Sequence, residues 1–174
     1  DRAAAQQKSV NRIPPHSVEA EASLLGAMLL SRDAVAVAFE RGVRAEEFYK
    51  PAHQHIYDAI RSLNTAGEPI DPITVGDELR RNNLLDGIGG IDALLTLQNA
   101  TPAITSAERY AKIVRETASL RRLISVASEI AEIAYSGPED VARAIDESES
   151  KIFDVAETNI GDAAQRLGLL VNEA

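Results

Sequence analysis

The side chains best suited to chemistry are the three histidines, His16, His53 and His55, and a large set of carboxylates. His53 and His55 stand two apart, so on a helix they point to different sides and cannot share a metal ion. No His-Glu-x-x-His string occurs, so the zinc-hydrolase arrangement is missing and the histidines read as surface or cap residues. The carboxylates fall mainly on what reads as the solvent side of amphipathic helices, as in Glu129 with Glu132 and Glu147 with Glu149. No pair reads as set in an apolar pocket, the arrangement that tunes a general acid. A phosphate-cradling P-loop needs Gly-x-x-x-x-Gly-Lys-Ser/Thr, and the chain contains no Gly-Lys dipeptide. Gly87, Gly89 and Gly90 lack the lysine and read as a helix-to-helix turn. The basic pairs Arg80-Arg81 and Arg121-Arg122 have no interleaved aromatics and read as helix-face charges. No catalytic residue, cofactor-binding residue or metal ligand emerges, so the expectation is a non-catalytic interaction module.

The elements that would carry such a module are helices. Pro14-Pro15 stiffens the chain, and Ser17 follows as an N-cap with Glu19 and Glu21 in the first turn, where acids suit the helix dipole. Val18, Ala22, Leu25 and Leu29 recur at helical spacing, with Leu24 and Met28 widening the stripe. Ser31 or Asp33 caps a short helix that Gly42 ends. Pro51 suits a first helical position, and Gly67 suits the stop of that helix. Asp71-Pro72 is a further cap and start, and Ile91, Leu94 and Leu97 mark a short helix before Thr101-Pro102. No stretch alternates with period two for long enough to make a strand.

From Thr105 to Tyr135 the chain has neither Gly nor Pro, which predicts a helix about 45 Å long. Ser136-Gly137-Pro138 is a sharp stop, and a second helix is expected over 139–157, ending at Thr158 to Gly161. Two long helices joined by so short a turn form an antiparallel hairpin. On its first helix, Tyr110, Ile113, Val114, Thr117, Leu120, Ile124 and Ala127 line one side. Leu123, Val126, Ile130 and Ile133 form a second apolar line on roughly the opposite side. One partner helix covers one face only. The other face needs the rest of the chain or a second chain. The resulting division is a mobile arm over 1–13, a helical head over 14–102, a hairpin over 103–157, and a linker beginning at 158–174 that could restart a helix through Ala164, Leu167 and Leu170.

Composition agrees with a globular all-α module. Of 174 residues, 45% are apolar, 26% charged and only 4% aromatic, so Leu, Ile, Val and Ala must build the core. The absence of Cys excludes disulfides and thiol chemistry and permits a cytosolic origin. A net charge of −9 opposes general binding to polyphosphate. No apolar run reaches the roughly 18–20 residues that span a bilayer. The start at Asp1 points to a fragment or a processed product.

Several strings, in order, carry a resemblance. They are Ile13 to Leu30 (IPPHSVEAEASLLGAMLL), Phe48-Tyr49 with Pro51, Ala52, His53 and Ile56, and then Gly67 to Asp71 with Ile73-Thr74. After these come Leu85 with Gly89-Gly90, Tyr110 to Val114 (YAKIV), and Leu120 to Ile124 (LRRLI). Together they resemble the N-terminal domain of the DnaB-type replicative DNA helicases of bacteria, over roughly residues 13–157. The resemblance implies a helical head followed by a hairpin, and hairpins that pair between subunits. Three such pairs form the N-terminal tier of a ring-shaped homohexamer, above a tier of RecA-like ATPase domains. ATP and Mg would belong to that second tier, beyond 158–174, and this part would be no enzyme by itself. Implied partners are a second copy, the C-terminal domain of a DnaG-type primase and a helicase loader, in the bacterial cytoplasm, with little direct nucleic-acid binding. Implied contact residues are Glu19, Ile124 and Ile130 for primase, and Leu123, Val126, Ile130 and Ile133, or the line carrying Ile124, for self-assembly. Two positions depart from the family: Ala93 stands where a Tyr is frequent, and residues 102–107 lack the usual Asn. Two other classes fit the residues less fully. One is a stand-alone helical adaptor not fused to an ATPase. The other is a helical enzyme or metal-binding bundle, for which the inward carboxylate and His ligand set is missing.

Overall fold

The computed structural model describes residues 12–172, with side chains through Glu157. Among the described residues there is no strand, and the fold is all-α. Among the described residues eight helices follow one another: α1 (Val18–Leu30), α2 (Arg32–Glu40), α3 (Pro51–Ala66), α4 (Pro72–Arg81), α5 (Leu85–Ile88), α6 (Gly90–Ala100), α7 (Ala107–Tyr135) and α8 (Val141–Asn172). Short 3-10 turns at Ala45–Glu47 and Ile104–Ser106 link α2 to α3 and α6 to α7. The arm expected over 1–13 lies almost wholly outside the described residues.

Local chemistry explains where the helices start and stop. Ser17 caps α1 by accepting the Ala20 N–H at 3.2 Å. Asp71 caps α4 by accepting from Ile73 and Thr74 at 2.8 and 3.0 Å, while Thr74 Oγ1 accepts the Asp71 N–H in return. Pro51 and Pro72 occupy first helical positions, where their missing N–H costs nothing. Gly67 ends α3 at φ +72°, a left-handed conformation that L side chains avoid. Ser31 rather than Asp33 occupies the N-cap of α2, without a side-chain bond.

Helix α1 is the axis of the head. Ala20, Glu21 and the run from Leu24 to Leu29 are all buried, because α1 packs against α2, α3, α6 and α7 at once. Its Gly26 lets α6 approach closely: a Cβ there would lie 2.2 Å from the carbonyl oxygen of Leu97. Leu79, Ile56, Ile60 and Leu94 fill the core beside it. Aromatics are scarce, yet Tyr57 and Phe48 are the largest fully buried side chains, with ring centres 5.1 Å apart. The Tyr57 hydroxyl donates to the Val43 carbonyl at 2.6 Å, and burial raises its pKa well above the usual tyrosine value.

The long helix departs from its expected packing. Against the head, α7 buries Ala107, Ala111, Val114 and Ala118. Of the apolar line read from Tyr110 to Ala127, Val114 is buried, while Tyr110, Ile113 and Thr117 are half-buried and Leu120 and Ile124 are exposed. The contact face is built from alanine, which allows close helix approach but adds little to an apolar pattern. Past Ala118 no α7 residue is fully buried. Helix α8 then returns antiparallel, as expected, but does not end at 158–161: it runs unbroken to Asn172. Gly161 costs a helix interior only about 1 kcal/mol, too little to stop a helix without a second breaker. The side chains of Ala164, Leu167 and Leu170 lie outside the described residues.

Candidate functional site

The two helices of the hairpin meet along a seam. On α7, Val126, Ile130 and Ile133 are half-buried, as are Ala144, Ser148, Lys151 and Val155 on α8. A shallow groove of about 360 Å³ between the helices is lined by Arg122, Val126, Glu129, Lys151, Asp154 and Val155, among others. Lys151 donates to Glu129 at 2.8 Å across it. This exposed bond holds the Glu129 carboxyl below its ordinary value and the Lys151 ammonium above its own.

Beside the seam lies a second apolar surface. Leu120, Leu123 and Ile124 of α7 are 49, 47 and 50% exposed. Val141, Ile145 and Ile152 of α8 are 62, 54 and 50% exposed. At about 100° per residue, each set sits about a quarter turn from the seam, in the direction of increasing sequence. Because the helices are antiparallel, both rotations lead to the same broad side of the hairpin. Six large apolar side chains therefore share one open face. Phe153, 60% exposed, projects from the outer edge of α8, roughly opposite its seam side.

The expected contact residues divide between the two parts. Leu123 and Ile124 lie on the open face, whereas Val126, Ile130 and Ile133 line the seam side of α7. Glu19 is exposed in the first turn of α1, and Ala93 is half-buried on α6, packed against the core.

A polar cluster where the hairpin leaves the head was missed. Glu21 is fully buried, and its carboxylate accepts the N–H groups of Tyr49 at 2.6 Å and Lys50 at 3.3 Å. It also accepts from Nδ1 of His53 at 2.8 Å, and His53 is only 3% exposed. His53 is therefore not a surface or cap residue, and Glu21 does more than suit a helix dipole. Burial pushes the Glu21 carboxyl up, but the bonds from His53, Tyr49 and Lys50 outweigh it and hold its pKa below the usual value. Glu47, 1% exposed, faces Arg115 at 3.6 Å and Arg122 at 3.5 Å. Arg121 donates to the carbonyls of Pro15 at 2.8 Å and Glu47 at 2.6 Å. Arg121 and Arg122 are thus joint residues, not plain surface charges. One signal was available in the sequence: Glu21 lies one turn before Leu25 and two before Met28, in line with core positions. Its partners, 28 to 32 residues away, have no local signature.

Among the described residues no group of His, Asp or Glu could hold a metal ion, and no helix is long and apolar enough to cross a membrane. The arrangement offers surfaces for other proteins. The family model of the DnaB-like helicase N-terminal domain matches residues 13–116. The chain belongs to that family. The replicative DNA helicase DnaB of Mycobacterium leprae is 46% identical over 153 residues, covering 87% of this chain and 25% of that protein. The replicative DNA helicase DnaC of Bacillus subtilis is 39% identical over 157 residues, covering 90% of this chain and 34% of the relative. The chain thus spans about a quarter to a third of these helicases. The crystal structure of the N-terminal domain of DnaB helicase from Mycobacterium tuberculosis superposes with a TM-score of 0.77 at 46% identity. That match covers 82% of this chain and 99% of the other. A DnaB-like replicative helicase, described with its interactions with primase, matches at a TM-score of 0.66 and 23% identity, over 80% of this chain and 31% of that one. At that identity the second match supports the fold alone. The DnaB N-terminal architecture of head and hairpin is therefore the scaffold on which the open face and the buried joint are mounted.

Proposed function

We propose that this chain is the assembly and docking part of a replicative DNA helicase and works through contacts between proteins. The observation that carries the reading is the open apolar face shared by Leu120, Leu123 and Ile124 with Val141, Ile145 and Ile152. Large apolar side chains left exposed along one side of two paired helices mark a protein-binding site. Its occupant, in this reading, is the hairpin of a second copy. Three such pairs make the upper tier of a hexamer, and the seam residues Val126, Ile130 and Ile133 stiffen each hairpin from within. ATP hydrolysis with Mg, and DNA unwinding, belong to ATPase domains of the whole protein in the bacterial cytoplasm.

The tier also receives a primase, and a loader binds it, in this proposal. Membership of the DnaB-like helicase N-terminal family supports carrying over the primase that the resemblance implies. Glu19, exposed at the start of α1, is the proposed primase contact, while Ile124 and Ile130 serve the open face and the seam. Ala93 removes an aromatic anchor, so Ala93→Tyr strengthens binding of the primase C-terminal domain in calorimetry.

Self-assembly is tested by light scattering over a concentration series. The wild-type mass rises to a dimer or beyond. Ile124→Asp and Ile145→Asp, at exposed positions, keep the wild-type melt and stay monomeric, because a charge at the centre of an apolar interface is left without water. A wild type that is monomeric throughout, or two variants that associate as before, would overturn the pairing.

A further inference from the structure

Helix α7 packs on the head from Ala107 to Ala118 and then leaves it. Apolar contact between them ends at Ala118, the last buried residue of α7. Beyond it, Arg121 and Arg122 reach back to the head, and Arg121 holds two segments at once. One guanidinium nitrogen donates to the Pro15 carbonyl at 2.8 Å, in the strap 12–17 that precedes α1. The other donates to the Glu47 carbonyl at 2.6 Å, in the turn before α3. Its carbon lies 5.6 Å from the centre of the Tyr49 ring, near enough for a cation–π contact. The His16 ring stacks on the same tyrosine, with centres 4.2 Å apart and planes 12° from parallel. His16 Nδ1 in turn donates to Pro14 O at 2.7 Å, which stiffens the strap. Glu21 fixes the position of Tyr49 by accepting its N–H.

We propose that Arg121 is a latch that couples the N-terminal strap to the angle of the hairpin, so that releasing the strap frees the hairpin to pivot on the head. Burial lowers the Arg121 pKa from the ordinary arginine value, and Glu21 and Glu47 oppose that shift, so the group stays a cation and cannot switch by losing its proton. The switch is mechanical: a ligand or partner that pulls the strap off Tyr49 removes one of the two carbonyls that Arg121 grips. The lever is long. From Arg121 to the hairpin tip at Tyr135 is about 20 Å of helix, so a rotation of about 10° at the joint moves the tip by about 4 Å. That is enough to turn an open apolar face out of register with any partner. The latch acts within one chain and holds whether or not hairpins pair.

The absence of native Cys makes the test clean. Thr65→Cys on the head and Glu139→Cys at the tip, both exposed, carry nitroxide labels on the full chain, diluted with unlabelled protein so that distances within one chain dominate. Pulsed electron resonance gives a narrow distance distribution for the latched protein. With Arg121→Ala the distribution broadens about two-fold, and the backbone order parameters of Ile13 and His16 in the strap fall from about 0.85 to below about 0.6 by NMR relaxation, while the head keeps a cooperative melt. Tyr49→Ala, which removes the ring under both His16 and Arg121, gives the same pair of changes. A distribution of unchanged width together with unchanged order parameters in a folded Arg121→Ala would overturn the latch. If Arg121→Ala does not fold, Arg121→Lys carries the test with the same two outcomes, since lysine keeps the charge but cannot grip both carbonyls.

Discussion

Gly26→Ala sets two physical effects against each other and asks which is larger. Gly26 lies inside α1, and replacing a mid-helix glycine by alanine ordinarily stabilises a helix by about 1 kcal/mol. The structure opposes this. The new Cβ would stand 1.9 Å from Thr101 Oγ1 and 2.2 Å from the Leu97 carbonyl oxygen. Thr101 can rotate, at the loss of its 3.0 Å bond to that same carbonyl. The Leu97 oxygen is backbone near the end of α6 and moves only if α6 moves, by about 1 Å to restore an ordinary carbon–oxygen contact of about 3.3 Å. Forcing a methyl into packed structure costs about 1–3 kcal/mol, and more where backbone must shift. The close approach falls at the upper end of that range, so a net loss of about 2 kcal/mol remains after the helix gain. For a chain of this size the expectation is a Tm lower by about 4–8 °C in calorimetry, with a matching fall in the urea midpoint. A Tm that is unchanged or higher would refute the reasoning, because the contact between α1 and α6 would then be loose enough to absorb a methyl.

Gly76→Ala is the control: its Cβ would meet the tip of Ile91 at 2.8 Å, a flexible side-chain end, so the Tm shifts by less than half as much as for Gly26→Ala. Glu21→Gln replaces a buried carboxylate that accepts three hydrogen bonds and lowers stability by about 1.5–3 kcal/mol near neutral pH, measured by urea unfolding. The Glu21 pKa is depressed in the fold, so its contribution is fully present above the unfolded carboxylate value of about 4.3 and is lost as pH falls through the folded value. The gap between wild type and Glu21→Gln therefore narrows below about pH 4, and a gap that is constant from pH 7 to 3 contradicts the pairing. Asp71→Ala removes the acceptor for two N–H groups at the start of α4 and costs about 1 kcal/mol in the same assay, whereas Asp71→Asn keeps most of it.

The helix ends were legible in the sequence because their causes are local. Ser17, Pro51, Gly67 and Asp71 each act within a few residues, so type and position alone announce them. The hairpin was legible for a similar reason: a long run free of Gly and Pro met a Ser-Gly-Pro turn. What the pattern hid was long-range or chemically quiet. Ala107, Ala111 and Ala118 make the head contact of α7, yet alanine adds almost nothing to an apolar stripe, so the larger residues beside them took the weight. The bonds around Glu21 and Arg121 join segments 28 to 106 residues apart, and no spacing rule spans such a gap. Gly161 looked like a stop because glycine often is one, but here no proline or cap reinforces it.

The seating of α1 against α7 has a consequence for how the chain is made. Arg121 reaches a carbonyl 106 residues earlier, so α1 leaves the ribosome well before α7 does. At about 5–20 residues per second, the greasy side of α1 waits about 5–20 s for its cover. During that interval α1, α2 and α3 can begin to gather, but one flank of the nascent head remains sticky. That flank is where a holding chaperone would find its grip.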